Sequence, residues 1–74
     1  MTDEERFATI RAFRAWLGLE QREAGIAAGV GEKRLIDAEK GRVMSERTWK
    51  ELTAFYASRG LEIREGEPLI ILVR

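Results

Sequence analysis

The chain has 74 residues, with 13 basic and 13 acidic side chains and neither cysteine nor histidine. A chain of this length forms one small domain, and the missing residue types exclude a disulfide framework and come close to excluding a structural zinc site. The formal net charge of zero argues against a nonspecific polyanion binder, whose affinity comes from a broad basic field. It does not argue against a sequence-specific binder whose positive charge is local.

The sequence also disfavours a membrane protein and an enzyme. The longest apolar run, residues 69–73, is far too short to span a bilayer, and no signal-peptide pattern opens the chain, so we expect a cytoplasmic protein. Without histidine or cysteine, a general base would have to be a carboxylate or a lysine, and the sequence contains no paired-carboxylate or nucleotide-binding spacing. We therefore expect no catalytic activity and no metal or other cofactor.

Hydrophobic periodicity and capping residues predict four helices. Thr2 and Glu5 fit a capping box, after which apolar residues recur at three- and four-residue steps. Gly41 is a stop signal for the third helix, Ser45 is a suitable N-cap for the fourth, and Gly60 follows its end. The predicted helices cover residues 3–17, 21–28, 32–40 and 46–59.

After Gly60 the periodicity changes to the alternation that is typical of strands. We predict strands over 61–64 and 69–73, as a short β-hairpin or a strand pair. The second strand is apolar on both faces, and a strand that needs cover on both faces in so small a domain suggests a partner chain. The expected dimer interface consists of Leu69, Ile70, Ile71, Leu72 and Val73.

Small residues dominate the centre of the chain, around the predicted turn between the second and third helices. Two helices that cross closely need small side chains where they touch, and Gly25 and Ala38 are the candidates, with Gly29 allowing a left-handed turn. Val30 and Leu35 would fill the angle between the helices. This is the construction of a helix-turn-helix, which supports its second helix as a projecting rod.

Residues with characteristic spacings surround this junction: Gln21, Gly25, Gly29-Val30, Leu35 and Glu39-Lys-Gly41, with Arg14 and Gly18-Leu19 upstream. Together they resemble the helix-turn-helix of the Xre/Cro-type phage-repressor family. The resemblance implies a mainly α fold, a four-helix phage-repressor-like domain over residues 1–74 with a short C-terminal β-hairpin or strand pair. Two residues depart from the family pattern, because Ala24 replaces a large aliphatic residue and Gly31 replaces a hydroxyl cap. We therefore expect a looser second helix.

The resemblance implies that double-stranded DNA is the partner, because in this family the third helix enters the major groove with its first turn against base edges. Lys33 can donate to guanine, and Ile36 can pack on a thymine methyl group. Asp37 or Glu32 can accept from cytosine N4. The alternative is that residues 32–34 are merely a solvated charged face. The implied base-reading residues are Glu32, Lys33, Arg34, Ile36 and Asp37.

Phosphate contacts are expected from the rim of the third helix. Gln21 lies at the N-terminus of the second helix, where free backbone N–H groups favour an anion. Residues 31–50 include six basic and four acidic side chains, so we expect contact with only a few phosphates per subunit. The expected phosphate-binding residues are Gln21, Arg22, Lys40, Arg42 and Arg47.

Two further sets of residues are expected to be structural. Arg14 and Glu39 match family positions that form a partly buried ion pair between the first helix and the end of the third. The aromatic residues are expected in the core rather than in a ligand-binding or base-stacking platform, although Trp16 lies off the main stripe of its helix and could cover the hairpin. These aromatic residues are Trp16, Trp49, Phe55 and Tyr56.

The preferred interpretation is a sequence-specific DNA-binding transcriptional regulator, a homodimeric repressor with two recognition helices roughly 34 Å apart. The main alternative is a protein-binding module with the same fold, such as an antitoxin, whose partner would be a toxin or an anti-repressor. A third possibility is a monomer whose hairpin packs on the first helix of its own chain.

Overall fold

The computed structural model describes residues 2–42, 44–63 and 71–73. The described elements, in chain order, are helices α1 (Asp3–Leu17), α2 (Gln21–Ala28), α3 (Glu32–Glu39) and α4 (Glu46–Ser58), followed by strands β1 (Leu61–Ile63) and β2 (Ile71–Val73). The predicted mainly α fold is confirmed, and every helix boundary lies within one residue of its predicted position. None of these helices is both long and apolar enough to cross a membrane.

Capping residues explain where α1 and α4 begin. The Glu5 backbone N–H donates to Thr2 Oγ1 at 3.2 Å, and the Thr2 backbone N–H donates to the Glu5 carboxylate at 2.9 Å. This hydrogen bond to the Thr2 backbone lowers the pKa of Glu5 below its usual value. In α4, Ser45 Oγ accepts from the Thr48 backbone N–H at 3.1 Å.

The core lies between the helices and extends to β1. Phe13 and Tyr56 pack edge to face, with ring centroids 5.5 Å apart. Trp49 is half-buried against the core, whereas Trp16 is 62% exposed. The expected burial of Trp16 is therefore wrong, because α1 turns a different stripe of residues inward. The largest fully buried apolar side chains are Ile10, Phe13, Leu35, Leu52, Tyr56 and Leu61.

The two strands form an antiparallel pair within one chain. Leu61 lies opposite Val73, and Ile63 lies opposite Ile71. β1 packs chiefly against α4 rather than against α1, with Leu61 buried. One edge of β2 is thus occupied by its own chain. Leu69 and Ile70 of the expected dimer interface, and residue 64 of the first predicted strand, lie outside the described residues.

At the junction between α2 and α3, the backbone of α2 approaches the backbone before α3 more closely than the sequence predicts. A Cβ atom on Gly25 would lie only 2.6 Å from the Gly31 carbonyl oxygen, so the contact that requires glycine is with the backbone before α3. The sequence places this contact at Ala38 instead, which is buried but is not among the atoms nearest to Gly25. Val30 and Leu35 are buried at the junction, as expected.

Candidate nucleic-acid interface

Helix α3 has a buried side and an exposed side. Leu35, Ala38 and Glu39 are buried against the rest of the chain. All five residues that the resemblance implies as base-reading residues lie outside this buried set. Glu32, Lys33 and Arg34 are exposed, and Ile36 and Asp37 are half-buried. The helix therefore offers one face to a partner while the other is fixed.

Lys33 is the cation on this face whose side chain has the fewest internal contacts. It is exposed and forms no hydrogen bond or ion pair with the residues that the structure describes. It lies in the first turn of α3. An ammonium group in this position can reach an acceptor on a partner without first breaking an internal contact.

Arg34 occupies a different environment from the one the sequence suggests. Its Nη2 atom donates to Thr48 Oγ1 at 2.5 Å and lies 3.4 Å from Glu51 Oε1, so the guanidinium turns towards α4. Thr48, which accepts this hydrogen bond, is only 4% exposed. In this arrangement Arg34 ties α3 to α4 instead of pointing at a base edge.

Sequence reasoning missed Thr48 and Glu51 as partners of Arg34. The spacing of Arg47 and Glu51 on one helix was a readable signal, since residues four apart share a helix face, and their side chains do pair at 3.3 Å. The contact between Arg34 and Glu51 spans 17 residues of sequence and depends on how α3 crosses α4. No local sequence pattern predicts how these two helices are arranged.

Asp37, also expected to face bases, lies beside a rim cation. Its Oδ1 atom is 3.7 Å from Arg42 Nη1, and the Arg42 backbone N–H also donates to the Asp37 carbonyl oxygen at 3.0 Å. The carboxylate is therefore partly neutralised by the loop that follows α3. This pairing lowers the repulsion that an acidic residue would otherwise experience near a phosphate backbone.

The expected phosphate-binding residues divide into two groups. The exposed cations are at the surface of α2, the end of α3, the following loop and the first turn of α4: Arg22, Lys40, Arg42 and Arg47. Gln21 is half-buried instead, and its Nε2 atom donates to Glu39 Oε1 at 3.2 Å. Its amide therefore supports the ion pair described next.

Arg14 and Glu39 form the expected ion pair in a bidentate geometry. Arg14 Nε lies 2.7 Å from Glu39 Oε2, and Nη2 lies 2.9 Å from Oε1. Glu39 is only 3% exposed, and its hydrogen bonds with Arg14 raise the pKa of Arg14 above its usual value. Removing Arg14 would leave the buried Glu39 carboxylate without its cation and should cost about 3–5 kcal/mol.

The surroundings of this pair connect three helices. Arg14 Nη1 also donates to the Leu19 carbonyl oxygen at 3.0 Å, and Arg11 Nη1 donates to the Glu39 carbonyl oxygen. The Glu39 carboxylate itself accepts from Arg14 of α1 and from Gln21 at the start of α2, so it joins both helices to the end of α3. The C-terminal end of α3 is thus held from its buried side.

The described geometry is that of two short helices joined by a three-residue turn, with the second helix exposed on one face. Comparison of the chain with protein-family models, with curated proteins and with solved structures finds no match.

Proposed function

We propose that this protein is a sequence-specific double-stranded DNA-binding transcriptional regulator, which acts as a homodimeric repressor and inserts α3 into the major groove. The observation that carries the proposal is the division of α3 into a fixed inner side and an outer side with Lys33 in its first turn. The fixed side supplies orientation, and the outer side supplies groups that can recognise base edges.

The dimensions and chemistry of α3 fit this role. An α-helix with its side chains is about 10–12 Å across, and the major groove is about 12 Å wide. Lys33 can donate to guanine O6 or N7, and Ile36 can contact a thymine methyl group. Exposed cations on α2 and in the loop after α3 lie on either side of the helix in sequence, which supports contact with phosphates along the groove.

A protein-binding module of the antitoxin type is the second candidate. Trp16 and Ile26 are 62% and 64% exposed, and aromatic side chains are enriched at the centre of protein–protein interfaces. A toxin or anti-repressor could cover them. The two functions are compatible, since Trp16 and Ile26 lie on α1 and α2 and leave the outer side of α3 available.

Selection from random duplexes tests the proposal. The purified chain should enrich a defined sequence, and Lys33→Ala should then weaken binding to it by roughly 1–3 kcal/mol, or about 5- to 150-fold, because a base contact is lost. Lys50→Ala is the matched control, since Lys50 is an exposed lysine on α4. The control should change the affinity by no more than about twofold, as expected for a lysine without a base contact.

Two outcomes would contradict the proposal. If no sequence is enriched, the chain is not a sequence-specific DNA binder, and the protein-binding alternative becomes the better one. If Lys50→Ala weakens binding as much as Lys33→Ala, the effect reflects total charge, and α3 is not the recognition helix.

A further inference from the structure

Two arginines from different helices converge on a single carboxylate oxygen beside α3. Arg34 Nη2 of α3 and Arg47 Nε of α4 lie 3.4 Å and 3.3 Å, respectively, from Glu51 Oε1. Both arginines were expected to contact DNA, one at a base edge and the other at a phosphate. In the described structure each of them has an internal anion as its nearest charged partner.

The three side chains differ in how firmly they are held. The side chain of Arg47 is 84% exposed, and Glu51 is its charged partner. Arg34 is 45% exposed and has a second anchor in the buried hydroxyl of Thr48. Glu51 is 29% exposed, so its carboxylate remains accessible to solvent at the edge of the cluster.

We infer that Glu51 competes with DNA phosphates for Arg47 and Arg34 and thereby keeps sequence-independent DNA binding weak. The inference rests on the proposed function, because it concerns the electrostatics of the same DNA-facing side. Its physical basis is the exchange of one anion, the carboxylate, for another, the phosphate. An arginine that already neutralises a carboxylate gains less from a phosphate, because it must give up one anion to bind another.

The competition should be stronger for Arg47 than for Arg34. Glu51 is the charged partner of Arg47 among the described residues, so removing Glu51 leaves Arg47 free to bind a phosphate. Arg34 keeps its bond to Thr48 whichever anion it faces. Glu51 also places a negative charge close to any phosphate that approaches either arginine. Removing that charge should therefore increase the number of phosphates that the protein neutralises.

Glu51→Gln tests the inference, with Glu46→Gln as the matched control. Both changes remove one negative charge from α4, but Glu46 pairs with Arg6 of α1 at 2.6 Å. The affinity of each variant would be measured for the selected duplex and for an unrelated duplex, between about 50 and 300 mM salt. The salt dependence reports the number of phosphates contacted, with a slope of about 0.9 per phosphate.

In the Glu51→Gln variant, the slope of the logarithm of the binding constant against the logarithm of the salt concentration should become steeper by about one to two. The variant should also bind the unrelated duplex roughly tenfold more tightly near 0.1 M salt. Glu46→Gln should change neither quantity. Adding Arg47→Gln to Glu51→Gln should remove most of the gain, because Arg47 is the more readily released cation. Thermal melts test whether each variant is folded. If Glu51→Gln is unfolded, Glu51→Asp and Glu46→Asp are compared in the same way, with a smaller expected gain in affinity.

The outcomes separate the inference from the proposed function. If the wild-type chain binds no duplex, the proposed function fails and the inference fails with it. If the wild-type chain binds but Glu51→Gln leaves the slope unchanged, or Glu46→Gln steepens it equally, only the inference is overturned. The second result would mean that net charge, rather than competition at these arginines, sets the affinity.

Discussion

At the scale of single residues, the Tyr56 hydroxyl is an exception to the usual pairing of buried polar groups. Tyr56 is fully buried between Phe13 and Phe55, with ring centroids 5.5 Å and 5.1 Å away. Its hydroxyl makes no hydrogen bond with the described residues. Burial raises the pKa of Tyr56 to about 12, with a smaller contribution from the nearby Glu39 carboxylate. The neutral phenol is thus strongly favoured in the folded protein.

Tyr56→Phe should leave the free energy of unfolding at neutral pH unchanged or raise it by about 1 kcal/mol, because an unpaired buried hydroxyl is removed. The alkaline behaviour should also change. The folded-state pKa lies above the unfolded value of about 10, so this contribution to stability is complete below about pH 10 and is lost as the pH rises towards the folded value. The Phe variant should lack that loss.

Urea denaturation at several pH values measures both effects. The chain has a single tyrosine, so the absorbance change of the phenolate reports Tyr56 alone. A Tyr56→Phe variant that is destabilised by about 1 kcal/mol or more at neutral pH would show that the hydroxyl has a favourable partner.

At the scale of elements, the glycines at positions 25 and 31 are structurally linked. Gly31 has φ 83° and ψ 157°, a region that is open only to glycine. In this conformation its carbonyl oxygen lies where a side chain on Gly25 would be. The glycine in α2 and the glycine before α3 therefore accommodate one another across the turn.

Gly25→Ala should destabilise the protein by roughly 1–3 kcal/mol, because its Cβ would overlap backbone atoms. Gly31→Ser should cost a similar amount, about 1–3 kcal/mol, through backbone strain. The double variant should cost less than the sum, since an extended residue at position 31 moves its carbonyl away from position 25. Urea denaturation of all three variants measures these changes in the free energy of unfolding. Ala27→Gly in the same helix measures how much an exchange between alanine and glycine changes stability through helix propensity alone. Additive costs would contradict the coupling.

The elements themselves follow from local sequence, but several site contacts do not. Capping residues and apolar spacing determine where each helix begins and ends, and these signals act over three or four residues. The bond between Arg34 and Thr48, and the exposure of Trp16, depend instead on how helices cross. The spacing of Arg14 and Glu39 could be interpreted only through the family resemblance, because no local pattern pairs them.

At the scale of the whole molecule, the proposed repressor requires two copies of α3. A two-fold dimer should hold them about 34 Å apart, so binding should require two half-sites about 10 bp apart. Inserting about 5 bp between the half-sites should weaken binding strongly, because the second helix would face the opposite side of the duplex. Sedimentation equilibrium should find a dimer on the duplex. A monomer that binds a single half-site equally well would contradict this arrangement.

The contacts that hold α3 in place have a consequence for how the base preference of the proposed regulator could change. α3 is held by Leu35, Ala38 and Glu39 on its inner side and by the hydrogen bond from Arg34 to α4. Glu32 and Lys33, in contrast, are exposed. In the proposed DNA-binding regulator, new base preferences could therefore arise by substitution at those outer positions without unfolding the domain. The same backbone could serve different operators, with only the outermost side chains exchanged.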